Sequence, residues 1–243
     1  MVVALCLGAT GVVSEAATAP QPQTTLLVLG DSLTWGANYF AKTQTRLAAT
    51  AQFEAVLVDG WWSRRIGGII STTYSGDNTY KKLVSNGAQP TAVIVALGTN
   101  DVFFLKRKRE YATIIRELMD AIGNVPVVWL TVHRVESPTM VARSKVFNAT
   151  LTRVLTDYPL ASIHDWVSVV QKTPTAMAFD KIHLSPLGSE IRTRVYLELA
   201  TSLAQRASDM TSTTTTVVPT TVAPTTSLAP TTTIGLVTTT VVP

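Results

Sequence analysis

The chain has 243 residues, with 20 Lys and Arg against 16 Asp and Glu and a formal charge of +4. That length suits one sizeable α/β domain with a full core. The charge is too small and too scattered for a nucleic-acid-binding protein, and the single cysteine, Cys6, excludes a disulfide framework and a cysteine-based metal site.

The chain opens on an apolar stretch, Met1 to Val13, too short to span a bilayer. Small residues follow, Ser14-Glu15-Ala16-Ala17-Thr18-Ala19, spaced as a signal-peptidase site requires. A basic start is missing, and Pro20 disfavours cleavage directly after Ala19. Residues 1–19 are read as a secretory signal and 20–209 as the folded domain. Strands are expected at Thr25–Leu29, Ala55–Val58, Ala92–Leu97, Val125–Val132 and Ala161–His164, where short apolar runs occur. The cluster Lys106-Arg107-Lys108-Arg109 opens a helix-like segment and reads as a solvated edge. Beyond it, Tyr111, Ile114, Ile115, Leu118, Met119 and Ile122 recur at helical spacing. A further helix is expected over Val141–Leu155. The last helix starts with Ser185 as N-cap and Pro186 at its first position, and carries Ile191, Val195, Leu199 and Leu203 on one face. Strands alternating with helices imply a parallel sheet covered on both sides. Residues 210–243 are Thr- and Pro-rich with no charge after Asp209, and read as an extended stalk without a core.

The chemistry concentrates in three short pieces. Gly30-Asp31-Ser32-Leu33 follows the first strand, where a hydroxyl is presented at the carboxyl edge of the sheet and first-turn N–H groups point at a ligand. A serine attacks only if a base takes its proton and a partner fixes the base's tautomer. Asp180 and His183, three residues apart before the last helix, supply both. The carboxylate turns back to the imidazole Nδ1 and leaves Nε2 for Ser32. Acyl transfer also needs donors for the developing oxyanion. Asn100, after the third strand and Gly98, and the backbone N–H of Ser32 are the candidates.

Gly30-Asp31-Ser32-Leu33, Gly98-Thr99-Asn100-Asp101 and Asp180-Lys181-Ile182-His183 resemble the first, third and fifth blocks of the SGNH/GDSL hydrolase superfamily, in order. The resemblance implies Ser32 as nucleophile, His183 as base, Asp180 as its orienter and Asn100 as oxyanion donor. It also implies a flavodoxin-like three-layer α/β/α fold with a five-stranded parallel sheet. The G-x-S-x-G elbow of ordinary α/β-hydrolases is absent, in agreement.

The second block departs from the family pattern, which has a glycine after the second strand. Here Val58-Asp59-Gly60-Trp61-Trp62-Ser63-Arg64-Arg65 follows, so Ser63 or Gly60 is the further backbone oxyanion donor. Trp35, Trp61, Trp62 and Arg64 fall in segments ringing the nucleophile and are read as substrate-binding. Trp129 and Trp166 read as core, and His133 and His164 as structural. The expectation is a secreted or cell-envelope serine esterase, acting as a monomer on short acyl esters of a glycan or lipid. It needs no cofactor or metal, binds no nucleic acid and has no transmembrane span. An O-acyltransferase acting on envelope sugars and a non-catalytic surface-binding module are the rival readings.

Overall fold

Five apolar segments pair side by side into one parallel sheet in the order β2-β1-β3-β4-β5. They are β1 (Thr25–Gly30), β2 (Ala55–Gly60), β3 (Ala92–Ala96), β4 (Val127–Leu130) and β5 (Ala161–His164). The computed structural model describes residues 24–215, with side chains through Met210. The expected signal segment 1–19, with Cys6, lies outside the described residues, as does the stalk from residue 216 onward.

The helices are α1 (Ser32–Ala41), α2 (Thr43–Ala49), α3 (Gly76–Ser85), α4 (Asp101–Phe104), α5 (Lys108–Ile122), α6 (Pro138–Leu155), α7 (Trp166–Lys172) and α8 (Pro186–Thr215). The central strand β1 is buried along its whole length, as a run apolar on both faces demands. Its alternate residues serve two cores. Leu27 and Leu29 join Val93, Val95, Val127 and Trp129 under α3, α5 and α6. Leu26 and Val28 join Ile94, Ala96, Val128 and Leu130 under α2, α7 and α8. The α1 helix packs against α8 on this second side. The architecture is the expected three-layer α/β/α fold, with the chain reversing direction between β1 and β3. That reversal opens a crevice at the carboxyl edge of the sheet.

The apolar stripe expected from Tyr111 to Ile122 is the buried face of α5, and Trp129 and Trp166 are core residues. β1 and β2 run on to Gly30 and Gly60 and β3 stops at Ala96, one or two residues from the expected ends, and three further boundaries differ. β4 is shorter than the apolar run from Val125 to Val132, because only Val127–Leu130 has a neighbour on the ladder. α6 starts at Pro138, not Val141, because the Ser137 hydroxyl accepts from Met140 N at 3.3 Å and caps it. α8 runs to Thr215, so the domain boundary expected at 209/210 falls inside a helix. Among the described residues no helix is long and apolar enough to cross a membrane.

Candidate active site

Ser32 and Asn100 stand just after β1 and β3, where each strand hands over to a helix at the carboxyl edge, and Asp180 and His183 lie on the loop before α8. After β1, Asp31 caps α1, its Oδ1 accepting from Leu33 N at 3.0 Å. Ser32 is thereby the first helical residue, half-buried with its N–H at the positive end of α1. Asp31 itself is buried, and desolvation raises its carboxyl above the ordinary range, opposed by the Arg192 charge.

After β3, Asn100 precedes the short helix α4 and donates from Nδ2 to the Arg64 carbonyl at 2.9 Å. An amide carries two such hydrogens, so one stays available to a ligand. The next residue, Asp101, is buried and accepts from Ile66 N at 2.9 Å. Desolvation lifts its carboxyl to about 7, partly opposed by the Ile66 bond and by Arg65. The loops after β2 and β3 are thus tied together twice, through Asn100 and Asp101.

The imidazole comes from the far end of the chain. Residues 176–185 form a narrow loop pinned at its base by the Met177–Leu184 bridge and by Ser185 N donating to Ala176 O at 2.9 Å. A side chain on Gly188 would press its Cβ to 1.9 Å from Ala176 O, so glycine lets α8 start directly against this loop. The Ser185 hydroxyl accepts from Gly188 N at 3.1 Å, the expected N-cap. At the loop tip Asp180 Oδ1 accepts from Ile182 N and His183 N, both at 2.9 Å, and Oδ2 meets His183 Nδ1 at 2.6 Å. Desolvation pushes the Asp180 carboxyl up, but the His183 bond and the two backbone bonds outweigh it and hold it at about 2. An ionised acceptor on Nδ1 keeps the proton there and leaves Nε2 as the basic nitrogen.

Ser32 and His183 share the walls of two adjoining cavities. One, of about 260 Å³, is apolar and lined by Leu33, Trp35, Phe40, Trp62 and Leu184 among others. The other, of about 350 Å³, adds Ser63, Asn100, Phe103, Phe104 and Arg134. Residues far apart in the chain are therefore brought around one space with a hydroxyl, an imidazole–carboxylate pair and amide donors. A depression of about 390 Å³ lies at the amino edge of the sheet, between Thr24 and Thr91, and holds no such set.

Of the two candidate backbone donors after β2, Ser63 lines the second cavity and Gly60 lines neither. Gly60 is instead paired in register with Gly30, and a Cβ on it would sit 2.4 Å from Trp35 N. It is glycine so that α1 can approach β2. Ser63 adopts φ +53°, the left-handed conformation that glycine favours. A serine here keeps the backbone shape expected of the family's glycine.

Arg64, read from the sequence as substrate-binding, lines neither of the two cavities that Ser32 and His183 share. It is 2% exposed. Its Nη1 donates to Gly30 O at 3.2 Å and Asp59 O at 2.8 Å, its Nε donates to Thr73 O at 2.9 Å, and Asp59 pairs with it. It clamps the carboxyl ends of β1 and β2. Trp35 and Trp62 do line the first cavity, whereas Trp61 lies one ring back, stacked on Trp62. Sequence reasoning passed over Phe103, Phe104 and Arg134. Arg134 is buried, donates to Thr99 O at 3.0 Å and pairs with Glu136. His133 and His164 line neither cavity, and burial lowers both imidazoles below their ordinary value.

The fold is a flavodoxin-like three-layer α/β/α domain with a serine in the first strand–helix turn and an imidazole–carboxylate pair at the same edge. Residues 28–191 match the model of the GDSL-like lipase/acylhydrolase family, and the chain belongs to that family. It is a carboxylic ester hydrolase. Solved structures share the fold at low identity. The lipase/acylhydrolase from Enterococcus faecalis aligns with TM-score 0.60 at 18% identity, over 75% of this chain and 96% of that one. The M. smegmatis aryl esterase aligns with TM-score 0.58 at 16% identity, over 74% and 99%. A carbohydrate acetylesterase family member from Sinorhizobium meliloti aligns with TM-score 0.57 at 14% identity, over 75% and 99%. A comparison with curated protein sequences returned no match.

Proposed function

We propose that the chain cleaves acyl esters through a Ser32–His183–Asp180 triad. Ser32 Oγ attacks the ester carbonyl carbon while its proton passes to His183 Nε2. The resulting oxyanion accepts from Asn100 Nδ2 and the N–H groups of Ser32 and Ser63. As the tetrahedral intermediate collapses, the C–O bond to the alcohol breaks and His183 returns the proton to that oxygen. Water then attacks the acyl-serine, again giving its proton to His183, and the carboxylic acid leaves with Ser32 regenerated. Asp180, held at about 2, stays ionised throughout and stabilises the imidazolium.

The single observation that carries this reading is the 2.6 Å contact between His183 Nδ1 and Asp180 Oδ2, on a histidine that shares two cavities with Ser32. It supplies a base of fixed tautomer on the wall of the cavities that Ser32 lines. The test is turnover of p-nitrophenyl acetate by wild type and by Ser32→Ala. Loss of at least ~10³-fold in kcat supports the triad. Retention of more than about a tenth of the rate by a folded variant contradicts it. Adding a sugar acceptor to the same assay separates hydrolysis from acyl transfer, since transfer would yield an acylated sugar at the expense of free acid.

Short acyl groups on a glycan or lipid are the proposed substrates, supported by the carbohydrate acetylesterase and aryl esterase among the structural neighbours. Export to the cell envelope or medium is proposed from the apolar residues 1–13, the small residues that follow, and the charge-free Thr/Pro stretch at the other end. Amino-terminal sequencing of the protein recovered outside the cell tests it. A mature chain beginning near residue 20 supports export, and retention in the cytosol with Met1 intact contradicts it.

A further inference from the structure

The mouth of the site is ringed by aromatic side chains that the reaction does not use. Trp35 stacks on Tyr39 with centroids 5.2 Å apart, Tyr39 meets Phe40 edge-on at 5.0 Å, and Trp35 meets Trp62 edge-on at 5.4 Å. Tyr39 is 58% exposed, Phe40 62% and Trp62 53%. On the other side of Ser32, Phe103 and Phe104 line the second cavity and are each 55% exposed. Phe179, next to Asp180, is 98% exposed. An exposed apolar patch that rims a functional cavity marks a binding surface.

The chemistry of the patch selects its occupant. A polar polymer such as a glycan is held by ring faces together with hydrogen-bonding side chains. Here Trp35 and Tyr39 turn their faces to each other, and Phe40, Phe103, Phe104 and Phe179 have no polar atom to offer. Their outward parts gain free energy by leaving water for an apolar medium. Charge points the same way. Lys42, Lys106 and Lys181 are exposed around the rim, and among the described residues no acid pairs with them. Aromatic residues bordered by lysines match the boundary of a lipid layer with anionic headgroups.

We propose that this face docks on the surface of an acyl-lipid aggregate, so that an ester enters the site from that surface. The direction of substrate entry rests on the triad proposed above, but docking itself requires no chemistry at Ser32. The test is sedimentation of the full chain, as wild type and as Ser32→Ala, with unilamellar vesicles of phosphatidylcholine and phosphatidylglycerol. Both proteins bind. The double variant Tyr39→Ser/Phe179→Ser, whose sites line neither cavity, loses at least about tenfold in vesicle partitioning, because two large apolar side chains no longer leave water. It keeps wild-type turnover of monomeric p-nitrophenyl acetate, which also shows that it is folded. The proposal is overturned if neither parent protein sediments with vesicles or if the double variant sediments as well as its parent. It is equally overturned if an insoluble acetylated glycan, and not the vesicles, pulls the protein down. Vesicle binding by a wild type that fails to turn over the soluble ester supports docking and counts against the triad alone.

Discussion

Asp180→Asn isolates the proton logic of the site with almost no change in shape. The amide oxygen can still accept from Ile182 N and His183 N, now 2.9 Å from Asp180 Oδ1, so the loop tip keeps its backbone bonds. The amide NH₂ then faces His183 Nδ1 where Oδ2 stood at 2.6 Å. A donor there forces the imidazole proton onto Nε2, and Nε2 can no longer accept from Ser32. The expected loss is ~10⁴-fold in kcat, the scale of a triad with the wrong tautomer. The same substitution has a stability signature. A carboxyl at about 2 against an ordinary 3.8 corresponds to about 2.4 kcal/mol before screening, and about 1 kcal/mol for a group this open to water. Because the folded value is depressed, that contribution is present above about pH 4 and is lost as pH falls towards 2. Wild type therefore loses stability across that window, and Asp180→Asn lacks this component. Steady-state kinetics on a soluble ester read the first effect, and denaturant midpoints at a series of acid pH values read the second. A variant within about tenfold of wild-type kcat would refute the tautomer argument.

Asn100→Ala is expected to lower kcat by ~10²–10³ with KM little changed, and an unchanged kcat with raised KM would make Asn100 a substrate contact instead. Ser63→Pro, which removes the backbone N–H and forces φ away from +53°, is expected to lower kcat similarly, whereas Ser63→Gly stays close to wild type. Equal loss in both Ser63 variants would assign the effect to the hydroxyl. Arg64→Met leaves the carbonyls of Gly30, Asp59 and Thr73 without their shared donor, so stability falls by about 3 kcal/mol and Tm by about 10 °C. A Tm unchanged by Arg64→Met together with a raised KM would restore the substrate-binding role.

Features set by local pattern were legible in the sequence. The apolar runs of β1 and β3, the periodic face of α5 and the Ser185-Pro186 start of α8 each follow from residues within a few positions of one another. Ser137-Pro138 carries the same start signal, yet α6 was expected only from Val141, where apolar periodicity becomes dense. The imidazole–carboxylate pair was legible because Asp180 and His183 are three residues apart. Arg64 was not, because its partner Gly30 is distant in the chain and Thr73 lies across an irregular loop, so that only the fold brings them together. Asn148 gives a second example. Its sequence context reads as an incidental glycosylation triplet, whereas its amide bonds both Val132 N and Val132 O and holds the end of the β4 segment to α6. Phe103, Phe104 and Phe179 acquire meaning only from their exposure around Ser32 and His183, a property that no spacing rule encodes.

If Ser32 Oγ becomes acylated in the reaction, a phosphonate ester will phosphonylate the same oxygen, losing its alcohol and leaving a stable adduct. After incubation and proteolysis, intact-mass and peptide mass spectrometry locate the adduct. One adduct per chain is expected on the peptide containing Gly30-Asp31-Ser32-Leu33, with none on Ser32→Ala and much slower labelling of His183→Ala. An adduct on any other residue, or equal labelling of Ser32→Ala, would contradict acylation of Ser32.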